Sequence, residues 1–506
     1  NDVTINNGTV QGTVGIKNEL YCPNKVNNNS CSYKTITVNN GHIIGTIGDG
    51  INMTGTTNSG KLNVYGGTIE GKTNGIYTSS RIQIGKNDGN ISIEKPEIIG
   101  HTNYGLKTLE YTEFYDGILK GVEDGYEGLI NIIPHASLID EDYEYINKRE
   151  YQTDFLVTKG NFLRVGNNEY NSINTAYEAI EGTSGTITVI KDAYIDFSQT
   201  LPSGKTVTLD LNGHSLIMTQ PLNISGNVTI VNDSTSGGIN NISDIAINNS
   251  GTTTIKGGTI NSEKKNTINN TGTLIIDGAT INSTKEYGIY NTNNLTVNSG
   301  TIETNTKEAI YTTSTTTINN GTILANNSNC ITVANSNLTV NNGNIESYLG
   351  YGINIINNST IKVNGGTITG STHGIVDNNS SGSIQITGGH IKGKTATGLY
   401  TYKNTDIIGG IVEGATYGVY KDNANTILNI GENDGTINID SPILKGDQYG
   451  MYIQNGNVNF YDGIIKGQSN SIVGTIADQE VNTTLVDSTE TIGGVVYKTA
   501  YLDDSQ

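Results

Sequence analysis

The chain has few of the residues that would indicate a nucleic-acid partner or a membrane span. Of its 506 residues only three are Arg (Arg81, Arg149 and Arg164), and 48 acidic against 29 basic side chains give a net charge of -19. Because no basic patch is available to neutralise phosphates, we do not expect nucleic acid as a partner. No stretch is long and apolar enough to span a bilayer, so we do not expect membrane insertion of this segment.

Cysteine is scarce, and tryptophan is absent although Tyr occurs 28 times. Cys330 occupies a position that Ala309 and Gly352 fill in neighbouring repeats, so we expect a buried, unreactive thiol. Cys22 and Cys31 enclose an Asn-rich insertion and could form a disulfide in an oxidising exterior. The alternative, a metal site, lacks further Cys or His ligands, so no metal or cofactor is expected.

What the chain does contain is a repeat with a nearly constant period. A Gly-Thr-Ile-like unit recurs between residues 258 and 412, with steps of 21, 21, 21, 22, 23, 23 and 21 residues between its closing aliphatic side chains. These side chains are Ile260, Ile281, Ile302, Ile323, Ile345, Ile368, Ile391 and Val412. Self-similarity at a fixed period of this length predicts a solenoid.

Each repeat contains three short strand-like pieces separated by Gly, Asn, Asp and Ser. Around Leu295 and Val297, apolar and polar residues alternate with a period of two, which indicates strands with one buried face. A helical solenoid is disfavoured because Gly, Asn and Thr are poor helix formers. Disorder is disfavoured because the apolar columns are periodic. The sequence therefore predicts an all-β fold, a right-handed parallel β-helix with three strands and about 21–23 residues per coil.

The sequence at the end of the repeat array occurs twice in the chain. Residues 84–100 (IGKNDGNISIEKPEIIG) correspond to residues 430–446 (IGENDGTINIDSPILKG), and a Phe-Tyr-Asp-Gly-Ile segment follows each. We therefore predict two tandem modules, residues 1–160 as the C-terminal part of a first module and 161–506 as a second, each with an end cap. Because Asn1 lies inside a repeat, we expect the chain to be a piece of a longer protein.

The second module is predicted to begin with a short helix at residues 171–181. An Asn or Ser N-cap, an apolar stripe of Ile173, Ala176, Tyr177 and Ile180, and Gly182 as a stop are typical helix signals. We expect this helix to cover the open first coil of the module, because an exposed strand edge invites aggregation.

No catalytic constellation is recognisable in the sequence. Asn404-Thr405-Asp406 resembles the start of a hydrolase motif, but alternation makes Asp406 an outward strand residue without carboxylate partners. The Asn-Asp-Gly segments at residues 87–89 and 433–435 suggest hairpin turns more than calcium loops. The His residues are scattered, so we expect most of them to be exposed and solvated. The chain is accordingly predicted not to be an enzyme.

A column of tyrosines is the best candidate for a binding site. Outward Tyr rings in register could stack against sugar rings or a protein partner; the alternative is that they stack on one another and stiffen the fold. The candidate residues are Tyr287, Tyr290, Tyr311, Tyr400, Tyr417, Tyr420, Tyr449 and Tyr452.

The Gly-Gly-Thr-Ile … Gly-Ile-Tyr repeats, the helix before residues 185–190 (GTITVI) and the entry strand at 207–213 (VTLDLNG) resemble the pectin-lyase-like right-handed β-helix repeats of bacterial surface adhesins. The resemblance implies a secreted, extracellular segment attached to the cell surface or wall through other regions. It further implies a non-enzymatic adhesin or stalk that binds glycan or a host surface protein. The alternative is a carbohydrate-active enzyme, a polysaccharide lyase or hydrolase, with an unrecognised cleft.

Overall fold

The computed structural model describes residues 2–18, 35–54, 60–87, 91, 95–132, 136–146, 149–158, 160–379 and 381–504. Within them, 58% of the chain is strand, and about 19 stacked parallel coils form a β-solenoid. The predicted all-β solenoid is therefore confirmed. The candidate disulfide between Cys22 and Cys31 lies outside the described residues.

Residues 1–179, with 188–196 and 214–217, form one compact unit, and the remaining residues form a second. We call these unit 1 and unit 2. Up to residue 179 the strands β1 to β18 are Val3–Ile5, Thr9–Gly12, Ile16–Lys17, Thr35–Val38, His42–Gly45, Ile51–Met53, Lys61–Val64, Thr68–Gly71, Ile76–Thr78, Arg81–Ile84, Glu97–Gly100, Tyr104–Phe114, Ile118–Gly121, Asp124–Ile132, Ala136–Ile146, Arg149–Thr158, Leu163–Val165 and Asn168–Tyr170.

One helix, α1, spans Ile173–Glu178 in the described part of the chain. The Ser172 side chain accepts a hydrogen bond from the Thr175 N–H, and Ile173, Ala176 and Tyr177 are buried. The predicted helix is confirmed, although it is shorter than residues 171–181. Its role as a lid stays a prediction. No described helix has the length and hydropathy of a bilayer-spanning segment.

The strands β19 to β56 follow the helix. They are Ser184–Val189, Ala193–Ile195, Gln199–Leu201, Thr206–Asp210, Ser215–Met218, Leu222–Ile224, Asn227–Val231, Gly238–Asn241, Ile247–Asn249, Thr252–Ile255, Thr259–Ser262, Ile268–Asn270, Thr273–Ser283, Ile289–Asn291, Asn294–Thr304, Ile310–Thr312, Thr316–Ile318, Thr322–Ala325, Ile331–Ala334, Asn337–Val340, Asn344–Ser347, Ile353–Ile356, Ser359–Val363, Thr367–Gly370, Ile375–Asp377, Gly382–Ile386, His390–Gly393, Thr397–Thr401, Asn404–Ile407, Ile411–Gly414, Tyr417–Ile430, Ile443–Gly446, Tyr449–Phe460, Ile464–Gly467, Asn470–Val473, Asp478–Gln479, Thr484–Ile492 and Val495–Asp503.

Strands of successive coils pair in parallel, so that equivalent residues form columns. The column predicted from the repeat is continuous, with Ile260 paired with Ile281 and so on through Ile391 and Val412 to Leu444 and Ile465. All of these side chains are buried. Full burial of one such aliphatic side chain is worth about 1.5–3 kcal/mol, so each added coil contributes to one continuous core.

Antiparallel hairpins cover the last coil of each unit. In unit 1, β13 pairs with β16, which in turn pairs with β15. In unit 2, β52 pairs with β56, which pairs with β55. These hairpins satisfy the backbone groups of a strand that would otherwise be an open edge.

The hairpin predicted at residues 433–435 is wrong. Residues 431–442 contain no strand, and the Asp434 carboxylate instead accepts hydrogen bonds from the backbone N–H and the hydroxyl of Thr436. This local turn satisfies the backbone without a partner strand. The equivalent segment at 87–89 lies largely outside the described residues.

Candidate functional site

The predicted tyrosines lie on, or just before, the third strand of several coils of unit 2. In the motif Tyr-Gly-aliphatic-Tyr the aliphatic side chain is buried, whereas both Tyr side chains are half-buried. A Cβ on Gly418 would lie 2.5 Å from the carbonyl oxygen of Gly450, so glycine is required for the two coils to approach each other. The motif thereby places both of its tyrosines on one surface, with the Tyr417 and Tyr420 ring centroids 5.2 Å apart.

The eight tyrosines form two patches rather than one ladder. The column that contains Tyr311 continues with Thr332, Asn354 and Val376 before it reaches Tyr400. We define patch A as the group before this interruption and patch B as the group after it. Patch A comprises Tyr287, Tyr290 and Tyr311, and patch B comprises Tyr400, Tyr417, Tyr420, Tyr449 and Tyr452.

Within each patch the rings stack on one another. Tyr290 and Tyr311 in patch A are stacked with their centroids 5.4 Å apart and their planes at 7°. In patch B, Tyr420 lies between Tyr400 at 5.0 Å and Tyr452 at 5.4 Å, with interplanar angles of 9° and 4°. Because neighbouring rings cover both faces of Tyr420, a sugar ring cannot stack on either face of this side chain. Tyr420 therefore has only its ring edge and its phenol hydroxyl left to contact a ligand.

The aromatic surface beside patch B includes side chains that the sequence analysis did not predict. The Tyr402 ring lies 5.8 Å from the Tyr400 ring, and its hydroxyl donates a hydrogen bond to Asp422 Oδ2 at 2.8 Å. Tyr351 and His373 continue the aromatic surface across two earlier coils, with His373 6.1 Å from Tyr400. The missed signal for Tyr351 was its Tyr-Gly-Ile motif. Tyr402 lies in a turn outside the repeating motif.

Five phenols of the two patches have a raised pKa and are therefore neutral donors and acceptors at ordinary pH. Burial, followed by the interactions with Tyr402 and Asp422, raises the pKa of Tyr400 to about 12. Burial also raises the pKa of Tyr287, Tyr311, Tyr417 and Tyr420. A neutral hydroxyl can both donate and accept, so the rim of patch B is suited to polar groups of a partner surface.

A second set of polar side chains lies on the neighbouring strands β45, β48 and β50. His390 Nε2 lies 3.0 Å from Glu413 Oε2, and Lys392 and Lys445 lie 3.3 and 3.5 Å from Glu413 Oε1. The hydrogen bond with His390, opposed by burial and supported by Lys445 and Lys392, lowers the pKa of Glu413 to about 2. A carboxyl with so low a pKa is a poor proton donor at neutral pH.

Unit 1 has a related cluster around Glu70. His42 Nε2 lies 2.7 Å from Glu70 Oε1, and His101 Nε2 lies 2.9 Å from Glu70 Oε2. The expectation that most His residues are solvated is therefore wrong, because His42, His101, His214 and His390 each contact a carboxylate. Sequence spacing did not reveal these pairs because each joins residues 22 to 31 positions apart.

The remaining candidates have structural partners. Asp406 Oδ1 accepts a hydrogen bond from Asn429 on the next coil at 2.8 Å. Cys330 is fully buried, its thiol donates to the Ile323 carbonyl at 3.0 Å, and burial raises its pKa, which confirms the predicted buried thiol. Among the described residues, no group of three or more His, Cys, Asp or Glu could hold a metal ion.

Comparison with known proteins adds no assignment. No protein-family model matches the chain, and neither the curated proteins nor the solved structures gave a match.

Proposed function

We propose that this chain is a non-enzymatic segment of an extracellular surface protein, an adhesin or stalk of the pectin-lyase-like right-handed β-helix type, and that patch B is its binding surface. The observation that carries the proposal is the stacked array of half-buried tyrosines in patch B. Tyrosine offers a large, rigid and amphipathic contact area and is enriched at protein interfaces.

The packing of the rings favours a protein partner over a single sugar residue. Each ring of the Tyr400, Tyr420 and Tyr452 stack is held by its neighbours, so little side-chain entropy remains to be lost on binding. A flat partner surface can cover ring edges and hydroxyls together, whereas a sugar needs a free ring face. Asp422 and Gln454 at the rim, which accept hydrogen bonds from Tyr402 and Tyr420, add polar groups that a partner surface can contact.

The experiment is a binding screen of the whole chain against host surface proteins and a glycan array, with polysaccharide cleavage measured in parallel. For any ligand found, we expect the double variant Tyr420→Ala/Tyr452→Ala to lose at least tenfold in affinity, which corresponds to about 1.4 kcal/mol. The matched control is Tyr290→Ala/Tyr311→Ala, which alters the stacked pair of patch A and should retain binding.

Three outcomes would contradict the proposal in different ways. Unchanged affinity in the patch B variant would exclude patch B as the site. Binding of glycans alone, lost in the same variant, would retain the site and change the partner class. Polysaccharide cleavage by the wild-type chain would support the alternative of a carbohydrate-active enzyme.

A further inference from the structure

Unit 2 contains an acid and an amine that are both fully buried and in contact. Lys403 Nζ lies 3.3 Å from Asp377 Oδ1, and neither side chain is exposed to solvent. Asp377 ends β43 and Lys403 follows β46, and these two strands are paired neighbours on successive coils. The pair therefore lies across a coil-to-coil contact in the interior of the solenoid.

Lys403 stands in a turn that carries serine in two other coils. The backbone N–H of Lys403 donates to Thr401 Oγ1, as the N–H of Ser314 does to Thr312 and that of Ser80 does to Thr78. Serine at this position meets the needs of the turn. A lysine with a buried amine is costly unless a specific interaction compensates for it.

Main-chain groups hold the two side chains in place. The carbonyl oxygens of Asn357 and Asn379 accept hydrogen bonds from Lys403 Nζ at 2.9 and 3.1 Å, and the Ser381 carbonyl accepts another. On the carboxyl side, the Asn379 N–H donates to Asp377 Oδ1 at 3.1 Å and the Tyr402 N–H donates to Oδ2 at 3.3 Å. These contacts fix the amine beside the carboxyl and exclude water.

The same burial disfavours the charged forms of both groups. It raises the pKa of Asp377, although Lys403 opposes this, and it lowers the pKa of Lys403, although Asp377 opposes this. Transfer of one proton from the Lys403 ammonium to the Asp377 carboxylate leaves a neutral amine, which is a nucleophile, and a protonated carboxyl, whose hydroxyl can leave as water.

We propose that Lys403 and Asp377 condense to form an isopeptide bond that covalently links successive coils. The Nζ lone pair attacks Asp377 Cγ, an N–C bond forms and the C–O bond to the hydroxyl breaks. One amine proton leaves with the hydroxyl as water, and the other remains as the amide N–H, so no oxidant or co-reactant is needed. The N–H groups of Asn379 and Tyr402 lie where negative charge develops on the carboxyl oxygens during the attack.

The experiment is intact-mass spectrometry of the whole denatured chain. We expect a mass below that of the sequence by one water molecule. A tryptic digest should contain one linked peptide with residues 377 and 403, uncleaved after Lys403. The variants Lys403→Gln and Asp377→Ala should each show their full sequence mass.

Lys421 provides the matched control. It is also fully buried, but its hydrogen bonds go to the Asn423 carbonyl and the Thr426 hydroxyl. Lys421→Gln should therefore still show the loss of water. A wild-type chain with its full sequence mass would overturn the proposal and leave Asp377–Lys403 as an ion pair, and so would a loss of water mapped to another site. The wild-type mass decides the matter whether or not a variant folds, and independently of any binding by patch B.

Discussion

The two ends of the repeat arrays, residues 84–158 in unit 1 and 430–503 in unit 2, have the same framework. Gly85 and Gly431 both have positive φ, 79° and 82°, and a Cβ on either would lie 2.3 or 2.2 Å from the Cβ of Asp116 or Asp462. Each end then finishes with an antiparallel hairpin, which pairs with β13 in unit 1 and with β52 in unit 2. Turn geometry, inward side chains and edge protection are thus duplicated together.

The outward side chains of the two ends differ. In unit 1, Tyr77 is followed in its column by Lys107 and Glu127, and Lys107 Nζ lies 2.5 Å from Glu127 Oε2. In unit 2 the equivalent column carries Tyr420 and Tyr452. The coil therefore constrains the inward positions and leaves the outward ones free to change, so the outward columns are where function can differ.

The largest expected effect is a loss of stability when a buried Phe that the two ends share is replaced. Phe114 and Phe460 are both fully buried at equivalent places. Changing either one to Ala should lower the free energy of unfolding by about 3–5 kcal/mol through lost burial and a cavity. Urea unfolding followed by circular dichroism measures this. The exposed Val481→Ala is the control and should change stability by less than about 0.5 kcal/mol. A large loss at only one Phe would show that the two ends are not energetically equivalent.

An intermediate effect is expected at Glu413 and at Glu97 of unit 1, whose carboxylate lies 2.8 Å from Lys120 Nζ and 2.9 Å from Lys95 Nζ. Burial favours a higher pKa for Glu97, but Lys120 and Lys95 lower it to about 2, and Glu413 reaches a similar value through His390 and two lysines. Because both folded-state pKa values lie below the ordinary 4.5, the stabilisation is present above pH 4.5 and is lost as the pH falls towards 2.

Glu97→Gln and Glu413→Gln should each lower stability at pH 7 by about 1.5–3 kcal/mol, the value of hydrogen bonds to charged groups. Each variant should also lose less stability than the wild type between pH 4.5 and pH 2. Urea midpoints measured across this range are the test. A variant whose pH profile is parallel to that of the wild type would show that the carboxyl in question is not stabilised in the folded state.

The smallest expected effect is the difference in stability loss between variants in the outward columns of the two units. Tyr420→Leu removes a ring stacked on both sides and should cost about 0.5–1.5 kcal/mol beyond the lost area, the value of aromatic pairs. Tyr77→Leu in unit 1 should cost less, because its column neighbour is Lys107, whose Nζ lies 5.9 Å from the ring. Thermal unfolding of both variants makes the comparison. Equal losses would mean that ring stacking does not stabilise patch B.

The sequence predicted the coil well because its signals are local and repeated. The column from Ile260 to Val412, the Ser172-capped helix and the buried Cys330 each follow from short patterns. The missed features have no such pattern. The contacts of Glu70 with His42 and His101, and that of Asp377 with Lys403, join residues on different coils whose separation varies with turn length.

By itself, the sequence determined the solenoid, its period and its inward columns, because alternating apolar residues at a fixed repeat can be buried in only one way. Only the tertiary structure decided how outward and corner residues meet. It divides the tyrosines into two stacked patches, covers both ring faces of Tyr420, and places a lysine amine against a buried carboxyl. The physical reason is that contacts between coils depend on the register set by every intervening turn, and no single repeat contains that information.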